Sequence, residues 1–375
     1  MAEGVKLTVL IGPGVPVPAP PDVVEALESV EVTSGTTQSG FQLTFAVGKT
    51  SRLMTSLLPA GWLDPVITRV ILVATVRGVP QVLMDGVVTR HELSPSSEPG
   101  KSTLTVTGED LSLLMDLVEM PFMRFPAMPV VARVYAILAK YAAVGIIPVA
   151  LPPVIPGTTS PLEKLPSQTG TDLQYIRRLA GGCGYVFYVE PGPAPGTSIA
   201  YFGPDLRIPV PQPALSVNMD AHTNVESLSF SLDGDQKKVE VLFVLDPVTK
   251  KIAIPVPVPN LSVLRPPLGA RLPPPRRIEF PEGMAKMTLG EAANHALSLS
   301  FAAADAVTGN GSLDVSRYGR VLRSRMLVAV RGAGVAYDGT YYVNSVTHKL
   351  KRGEYKQSFT LSRDGMVARR PRVPV

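Results

Sequence analysis

One strand-rich pattern occurs twice in this chain, and an internal repeat constrains the possible architectures more tightly than composition does. The first copy, RVILVATVRGVPQVLMDGVVTRHEL, spans residues 69–93, and the second, RMLVAVRGAGVAYDGTYYVNSVTHKL, spans residues 325–350. Both contain Leu-Val-Ala, Val-Arg-Gly and Asp-Gly in that order, and then Val-Thr shortly before a histidine and a leucine. The sequence therefore predicts two copies of one β module.

Further similarities extend the repeat beyond these two stretches. Upstream, GFQLTFAV (40–47) is similar to VESLSFSL (225–232), and downstream each copy continues into a closing strand. His91 and His348 fall in matching places of the two copies. We interpret this match as a consequence of duplication, because a lone histidine seldom binds a metal or acts in catalysis.

The residues that the copies share predict turns at strand ends. Glycine adopts positive φ without a Cβ clash, so Arg-Gly and Asp-Gly pairs are typical of tight turns and bulges. Gly353 is expected at the left-handed position of a hairpin turn over residues 351–354. The predicted repeat signature consists of Arg77, Gly78, Asp85, Gly86, Arg331, Gly332, Asp338, Gly339 and Gly353.

Proline is abundant, with 38 residues beside 32 glycines, and this disfavours long helices. Alternating apolar residues predict strands instead, as in residues 38–47, where Phe41, Leu43 and Phe45 share one face. Helices are predicted at three places: residues 129–143, a segment capped by Thr171 and stopped at Gly181-Gly182, and residues 287–306 with a capping box. The predicted fold is mainly β with α+β insertions.

These patterns divide the chain into five predicted units. Two tube-like β-barrel modules, related by pseudo-symmetry, are separated by a small α+β insert, and the second module is interrupted by a linker and a helix. The predicted boundaries are 1–115 for the first module, 116–215 for the insert, 216–260 with 307–366 for the second module, 261–306 for the proline-rich linker and helix, and 367–375 for a basic tail.

Motifs that resemble active sites fail on their spacing or setting. AVGKTSRL (46–53) lacks the first glycine of a phosphate-binding loop, because Leu43 occupies that position inside a strand. Cys183 follows a predicted helix C-terminus, where the helix dipole disfavours a thiolate. The four histidines lack metal-site spacing, and no acid/base carboxylate pair is evident. The sequence predicts no catalytic, cofactor or metal site.

Charge and hydropathy exclude several classes of partner. The net charge is +5, but it is spread along the chain, so no sequence-specific nucleic-acid surface is expected. The N-terminus lacks the basic region of a signal peptide, and no apolar stretch reaches the length of about 18 residues that a membrane span requires. We expect no membrane insertion and folding in a reducing cytoplasm, since the single cysteine allows no disulfide within the chain.

The order of the motifs resembles the phage late control protein D family, the baseplate hub proteins of contractile tails and related injection systems. This resemblance covers about residues 38–366, and it is carried by the segments DLQYIRRLAGGCGYVFYVE, LVAVRG and YDGTYYVNSVTHKLKRGEYKQSFTLSRDG. Proteins of this family are in turn similar to the hub portion of VgrG proteins. The resemblance implies a homotrimer in which three chains present six barrels to a hexameric tail tube, while the threefold symmetry accepts a trimeric spike.

The resemblance also implies where the protein acts and with what. The expected partners are copies of the chain, the tail tube protein, baseplate wedge proteins and a spike protein that is a separate chain. Assembly is expected in the bacterial cytoplasm, into a virion tail or an injection particle. Two alternatives stay open at this point: a hub-associated cell-wall hydrolase and a generic β-rich binding module with a small-molecule cleft.

Overall fold

The computed structural model describes residues 4–36, 38–98, 101–121, 123–126, 128–153, 167–207, 212–234, 238–245, 253–257, 266–274, 277–279 and 305–369. Its strands are β1 (Val5–Pro13), β2 (Val17–Pro18), β3 (Leu27–Ser34), β4 (Ser39–Val47), β5 (Thr68–Val76), β6 (Val79–Ser94), β7 (Ser102–Asp110), β8 (Met123–Arg124), β9 (Ile146–Ala150), β10 (Ser167–Gln168), β11 (Val186–Pro191), β12 (Ser198–Gly203), β13 (Gln212–Ser216), β14 (Ser227–Leu232), β15 (Lys238–Leu245), β16 (Ala253–Pro257), β17 (Gly269–Arg271), β18 (Arg277–Glu279), β19 (Val307–Asp314), β20 (Leu327–Arg331), β21 (Gly339–Lys351), β22 (Glu354–Arg363) and β23 (Met366–Ala368).

Helices are short and few within this described part. The α-helices are α1 (Pro21–Ala26), α2 (Val130–Leu138), α3 (Asp172–Cys183) and α4 (Val315–Tyr318); 3-10 turns occupy Leu111–Met115, Ala139–Val144 and Asp220–His222, and a π turn occupies Leu53–Leu57. The predicted mainly-β class is confirmed. The helix predicted over 287–306 falls almost entirely outside the described residues.

A single large sheet contains both modules. The first half runs β3-β4-β7-β6-β5-β1, and the second half runs β14-β19-β22-β21-β20-β13. The halves join where β21 pairs antiparallel with β3. One face of β4 is apolar, as the alternation predicts: Phe41, Leu43, Phe45 and Val47 are all buried. Both halves contribute to one continuous hydrophobic core.

The insert between the modules has its own core. In it, β9, β11 and β12 form a three-stranded sheet that packs with α2 and α3. The predicted cap of α3 is confirmed, since the Thr171 side chain accepts a hydrogen bond from the backbone N–H of Gln174. The predicted stop at Gly181-Gly182 is wrong: the helix continues to Cys183 and ends at Gly184, which takes the left-handed conformation (φ +69°).

Two strands that fall within the predicted second module, β15 and β16, lie outside the large sheet. They pair with each other in a small sheet, where β15 also pairs with β18. Within the described residues the second half of the large sheet is therefore drawn from residues 212–232 and 307–363. The domain boundaries given above remain predictions.

Candidate functional site at the module joint

The two halves of the large sheet have the same strand order. The six strands of each half, leaving out the short β2, can be numbered one to six along the chain. Across the sheet, both halves then have the order 2-3-6-5-4-1. One difference concerns the last pair, because β1 is antiparallel to β5 whereas β13 is parallel to β20. The shared order allows the residues of one module to be matched with those of the other.

A bulge fixes the register of this match. In β6 the ladder shifts after Val88, and in β21 it shifts after Val343, so that each strand gains one extra residue at the same place. Val88 lies opposite Gly108, and Val343 lies opposite Leu361. Bulges of this kind interrupt pairing at defined positions, and the repeated bulge makes Val88 and Val343 equivalent.

A strained residue recurs beside each bulge. Val66 (φ +68°) and Arg325 (φ +60°) both adopt the left-handed conformation, which is rare for a residue with a Cβ and rarest for a β-branched one. Val66 donates its backbone N–H to the carbonyl of Val88 over 2.7 Å, and Arg325 donates to the carbonyl of Val343 over 2.8 Å. The same uncommon backbone geometry in both modules supports their duplication.

This register corrects the match of the two histidines. Counted from the bulge, His91 is equivalent to Val346, and His348 is equivalent to Leu93. The connection between β5 and β6 has two residues, 77 and 78, whereas the connection between β20 and β21 spans residues 332–338. Counted between the equivalent pairs Arg69–Val87 and Leu327–Tyr342, the first hairpin is nevertheless three residues longer than the second, so the shared motifs do not hold equivalent places.

The Arg-Gly pairs lie at strand ends in both modules. Arg77 (φ +48°) and Gly78 (φ +83°) form the two-residue turn between β5 and β6. Arg331 ends β20, and Gly332 (φ +84°) begins the longer connection. A side chain at Gly332 has no room, since a Cβ would lie 1.8 Å from the carbonyl oxygen of Val217.

The Asp-Gly pairs differ between the modules. Asp85 and Gly86 lie in a regular part of β6, so the prediction of a turn or bulge there is wrong. Asp85 is buried and receives two hydrogen bonds of 2.7 Å from the Arg69 guanidinium. A Cβ on Gly86 would lie 2.2 Å from the carbonyl oxygen of Glu109, so close strand approach explains this glycine.

In the second module, Asp338 and Gly339 stand where the connection meets β21. The Asp338 carboxylate accepts a hydrogen bond from the backbone N–H of Ala333 over 2.8 Å, and Gly339 has φ +125°. Gly353 (φ +81°) lies in the hairpin turn between β21 and β22. The signature residues are therefore distributed over several turns and strand β6, and they do not converge on one site.

The strand likeness proposed upstream of the repeat is also wrong. Strand order makes β14 the counterpart of β3, and it makes β4 the counterpart of β19. Residues 40–47 and 225–232 therefore hold different places in their modules. Alternating apolar residues describe any half-buried strand, so this pattern could not distinguish adjacent strands.

The joint between the modules is the pairing of β21 with β3, and we call it the closed joint. It aligns six residues of each strand, from Val346 opposite Ser34 to Lys351 opposite Ser29. On the core side, His348 lies opposite Val32 and Leu350 lies opposite Val30, and all four are buried. Strand addition of this kind joins two units through main-chain hydrogen bonds and buried side chains.

His348 is the titratable group of the closed joint. Its Nδ1 lies 2.8 Å from the Tyr355 hydroxyl and 3.2 Å from the amide nitrogen of Gln357. Burial lowers the pKa of His348 to about 3. The histidine is therefore neutral at physiological pH, and its role here is in packing and hydrogen bonding.

The opposite face of the closed joint is polar. The hydroxyl oxygens of Thr33 and Thr347 are 3.2 Å apart, and the Lys349 ammonium lies 3.8 Å from the Glu31 carboxylate. Both charged side chains are about half exposed, at 52% and 47%. A surface pair of this kind contributes little to stability.

Within the described residues, the counterparts of the closed joint have no strand paired to them. β5 pairs with β6 only as far as Val87, so within the described residues the following segment of β6 pairs with β7 alone. Likewise, β14 ends the sheet and pairs only with β19 there. We call residues 89–94 and 227–232 the two open edges. An open edge of this kind can pair with a strand of another chain unless a helix or loop covers it.

Catalytic chemistry finds no support in the described residues. No group of three or more His, Cys, Asp or Glu side chains in them is placed to hold a metal ion. Burial raises the pKa of Cys183 to about 11, which disfavours a thiolate. His295 lies outside the described residues, and the absence of an active site in the whole chain stays a prediction.

Solved structures of other proteins are similar to this chain in fold. The chain is similar to a tail protein from Neisseria meningitidis MC58, with TM-score 0.61 and 15% identity over 96% of this chain and 98% of that one. It is similar to the 43 kDa tail protein of prophage MuSo2 from Shewanella oneidensis, with TM-score 0.61 and 13% identity over 96% of this chain and 99% of that one. The chain has the fold of these tail proteins.

A secretion-system component is also similar to this chain in fold. A component of the type VI secretion system of E. coli matches with TM-score 0.50 and 12% identity, over 92% of this chain and 76% of that one. No protein-family model and no curated protein matches the sequence. Among the residues that the structure describes, no helix is long and apolar enough to cross a membrane.

Proposed function

We propose that this chain is a structural baseplate hub protein, a trimeric adapter between a hexameric tail tube and a trimeric spike. The observation that carries the proposal is the repeated strand order, joined edge to edge by the closed joint. Two similar modules per chain make three chains a ring of six, so one face of the ring approximates sixfold symmetry. Joints of one kind repeated from module to module generate a closed ring when the rotations between neighbouring modules sum to a full turn.

The polar face of the sheet supports a ring with a water-filled bore. Along β14-β19-β22-β21-β3-β4-β7-β6, mostly apolar residues on the core side alternate with polar residues on the other face, many of them serine or threonine. We propose that this hydroxyl face lines the bore. It includes Thr33, Thr44, Thr103, Thr105, Thr107, Ser227, Ser229, Ser231, Thr347, Ser358 and Thr360.

The two ends of this sheet differ in a way that suits unlike partners. At one end, short connections join β6 to β7 and β21 to β22 in the two modules. At the other end, β3 joins β4 through residues 35–38, whereas β14 joins β19 through residues 233–306. The first end repeats nearly six times in a trimer and fits the tube. The second end repeats only three times and fits the spike.

The ring is tested on the purified full-length chain. Light scattering is expected to give three times the 39.9 kDa mass of one chain, and electron micrographs are expected to show a ring with a central opening. A chain that stays monomeric at every concentration would contradict the proposal. We further propose that the ring assembles in the bacterial cytoplasm and is incorporated, with tube, wedge and spike proteins, into a phage tail or an injection particle.

A further inference from the structure

We propose that the two open edges pair with each other between neighbouring copies of this chain, in the register of the closed joint. Residues 91–94 of one copy would run antiparallel to residues 229–232 of the next. This inference rests on the proposed ring, and it specifies the residues that close it. The partner is a second copy of this chain, because the closed joint already shows how a strand of one module receives a strand of the other.

The register follows from the equivalences between the modules. Counting from the bulge makes Glu92 equivalent to Thr347 and Leu93 equivalent to His348. For the other strand, Val32 lies opposite Phe41, and Phe230 lies opposite Gly309. Phe41 lies opposite Gly108, and Gly309 lies opposite Leu361. Gly108 and Leu361 are equivalent because they lie opposite Val88 and Val343 at the two bulges, so Val32 is equivalent to Phe230.

Transferring the closed joint to the open edges therefore gives four residue pairs. The pairing of His348 with Val32 becomes Leu93 with Phe230, and the pairing of Thr347 with Thr33 becomes Glu92 with Ser231. The remaining pairs are His91 with Leu232 and Ser94 with Ser229. Pro95 follows immediately, and its missing N–H is consistent with the end of the pairing there.

Exposure of the apolar side chains supports this pairing. Leu93 is 39% exposed and Leu232 is 42% exposed in the single chain, while His348, the counterpart of Leu93 in the closed joint, is buried. Leu93 would lie beside Phe230, which already stacks on Tyr337 with ring centroids 5.2 Å apart. The pairing would remove both leucines from water, a favourable change.

The polar face offers no obstacle to the same pairing. Glu92 would lie opposite Ser231, and Ser94 would lie opposite Ser229, so no like charges meet. The carboxylate of Glu92 is already paired with the Arg90 guanidinium of its own strand over 2.5 Å. Serine hydroxyls on one strand suit hydrogen bonding across the joint, as the 3.2 Å contact of Thr33 with Thr347 shows in the closed joint.

Disulfide cross-linking tests the register directly. In a Cys183→Ala background, Glu92→Cys combined with Ser231→Cys is expected to oxidise between chains. A non-reducing gel should then show bands at the masses of two and three linked chains, and reduction should return them to the single-chain band. Both positions are exposed, so neither substitution disturbs the core.

Two matched variants serve as controls. Thr33→Cys with Thr347→Cys places the same bond in the closed joint, where it is expected to form within one chain and leave the mobility near that of a monomer. Glu92→Cys with Ser227→Cys moves one partner by four residues, about 13 Å along the strand, which is too far for a disulfide. This second variant is expected to stay uncross-linked.

The outcomes separate the register from the proposed function. Trimers in light scattering without a cross-link between positions 92 and 231, or with cross-linking of the displaced pair, would overturn the register and leave the hub proposal standing. A chain that never associates would overturn both. Cross-linking of the designed pair alone, with the displaced pair unreacted, would establish the interface.

Discussion

Leu93 and His348 hold equivalent places in the two modules, but their surroundings are opposite. His348 is buried in the closed joint, opposite Val32, whereas Leu93 is 39% exposed on an open edge. The backbone around them is similar, since each module has a bulge at the same place and a left-handed residue bonded to it. The difference teaches that one surface of the module has been used inside the chain and the same surface remains available for another chain.

Packing inside the modules shows a second difference with the same backbone. In the first module β4 supplies the large Phe41 and β7 supplies Gly108 opposite it. In the second module the sizes are exchanged, with Gly309 on β19 and Leu361 on β22. Cores tolerate such exchanges when the total volume is kept. Side-chain identity is therefore a poor guide to equivalence between the modules.

The largest expected effect comes from placing a charge in the closed joint. Val32→Asp would bury a carboxyl group in the hydrophobic core beside His348, and we expect it to cost at least about 4 kcal/mol of unfolding free energy. Guanidinium denaturation monitored by circular dichroism measures this loss. The variant breaks the joint within one chain.

Leu93→Asp is the matched change on an open edge. Because Leu93 is 39% exposed in the single chain, the substitution should change the stability of the monomer by less than about 1 kcal/mol. It should nevertheless reduce the mass in light scattering from three chains to one. A trimeric Leu93→Asp variant, or an equal loss of stability in both variants, would refute the distinction between closed and open joints.

Much of the fold could be predicted from the sequence because its signals are local. Alternation in β4 and β22, the Thr171 cap and the glycines of the turns are each set within a few residues. The repeat was detectable for the same reason. The strand register of the repeat was not detectable, so a match of motifs placed His91 with His348 instead of with Val346.

The candidate site itself could not be predicted from local patterns. The closed joint brings together β3 and β21, which lie at opposite ends of the chain, and no spacing rule reports such a contact. From sequence, Leu93 is one more apolar residue of an alternating strand; only the structure shows that the neighbouring β5 begins at Thr68 and pairs with β6 no further than Val87. Likewise, the burial of Gln357, whose side chain bonds the backbone of Leu322, has no signal in the sequence.

The pH dependence of stability gives an intermediate effect. The pKa of His348 is about 3 in the folded protein and about 6.5 in an unfolded chain, so only the unfolded state binds a proton between these values. The contribution of His348 is therefore complete above pH 6.5 and is lost as the pH falls. Denaturation at pH 7 and pH 5 should show about 2 kcal/mol of loss from this residue.

Two glutamine variants isolate this contribution. His348→Gln keeps a polar side chain and cannot titrate, so its stability should fall by about 2 kcal/mol less than that of the wild type over the same pH interval. His91→Gln alters an exposed histidine of the open edge and should leave the loss in place. An unchanged pH dependence in His348→Gln would show that His348 is not sealed in the closed joint.

The smallest expected effect concerns the charged pair on the polar face of the closed joint. Lys349 and Glu31 correspond to Ser94 and Ser229 of the open edges, so Lys349→Ser with Glu31→Ser gives the closed joint the uncharged chemistry of the open one. Because the pair is half exposed and its atoms are 3.8 Å apart, we expect a loss below about 1 kcal/mol in denaturation experiments. A loss above about 2 kcal/mol would show that this ion pair is a main source of the stability of the closed joint. The open edges, which lack these charges, would then be poor candidates for the same pairing.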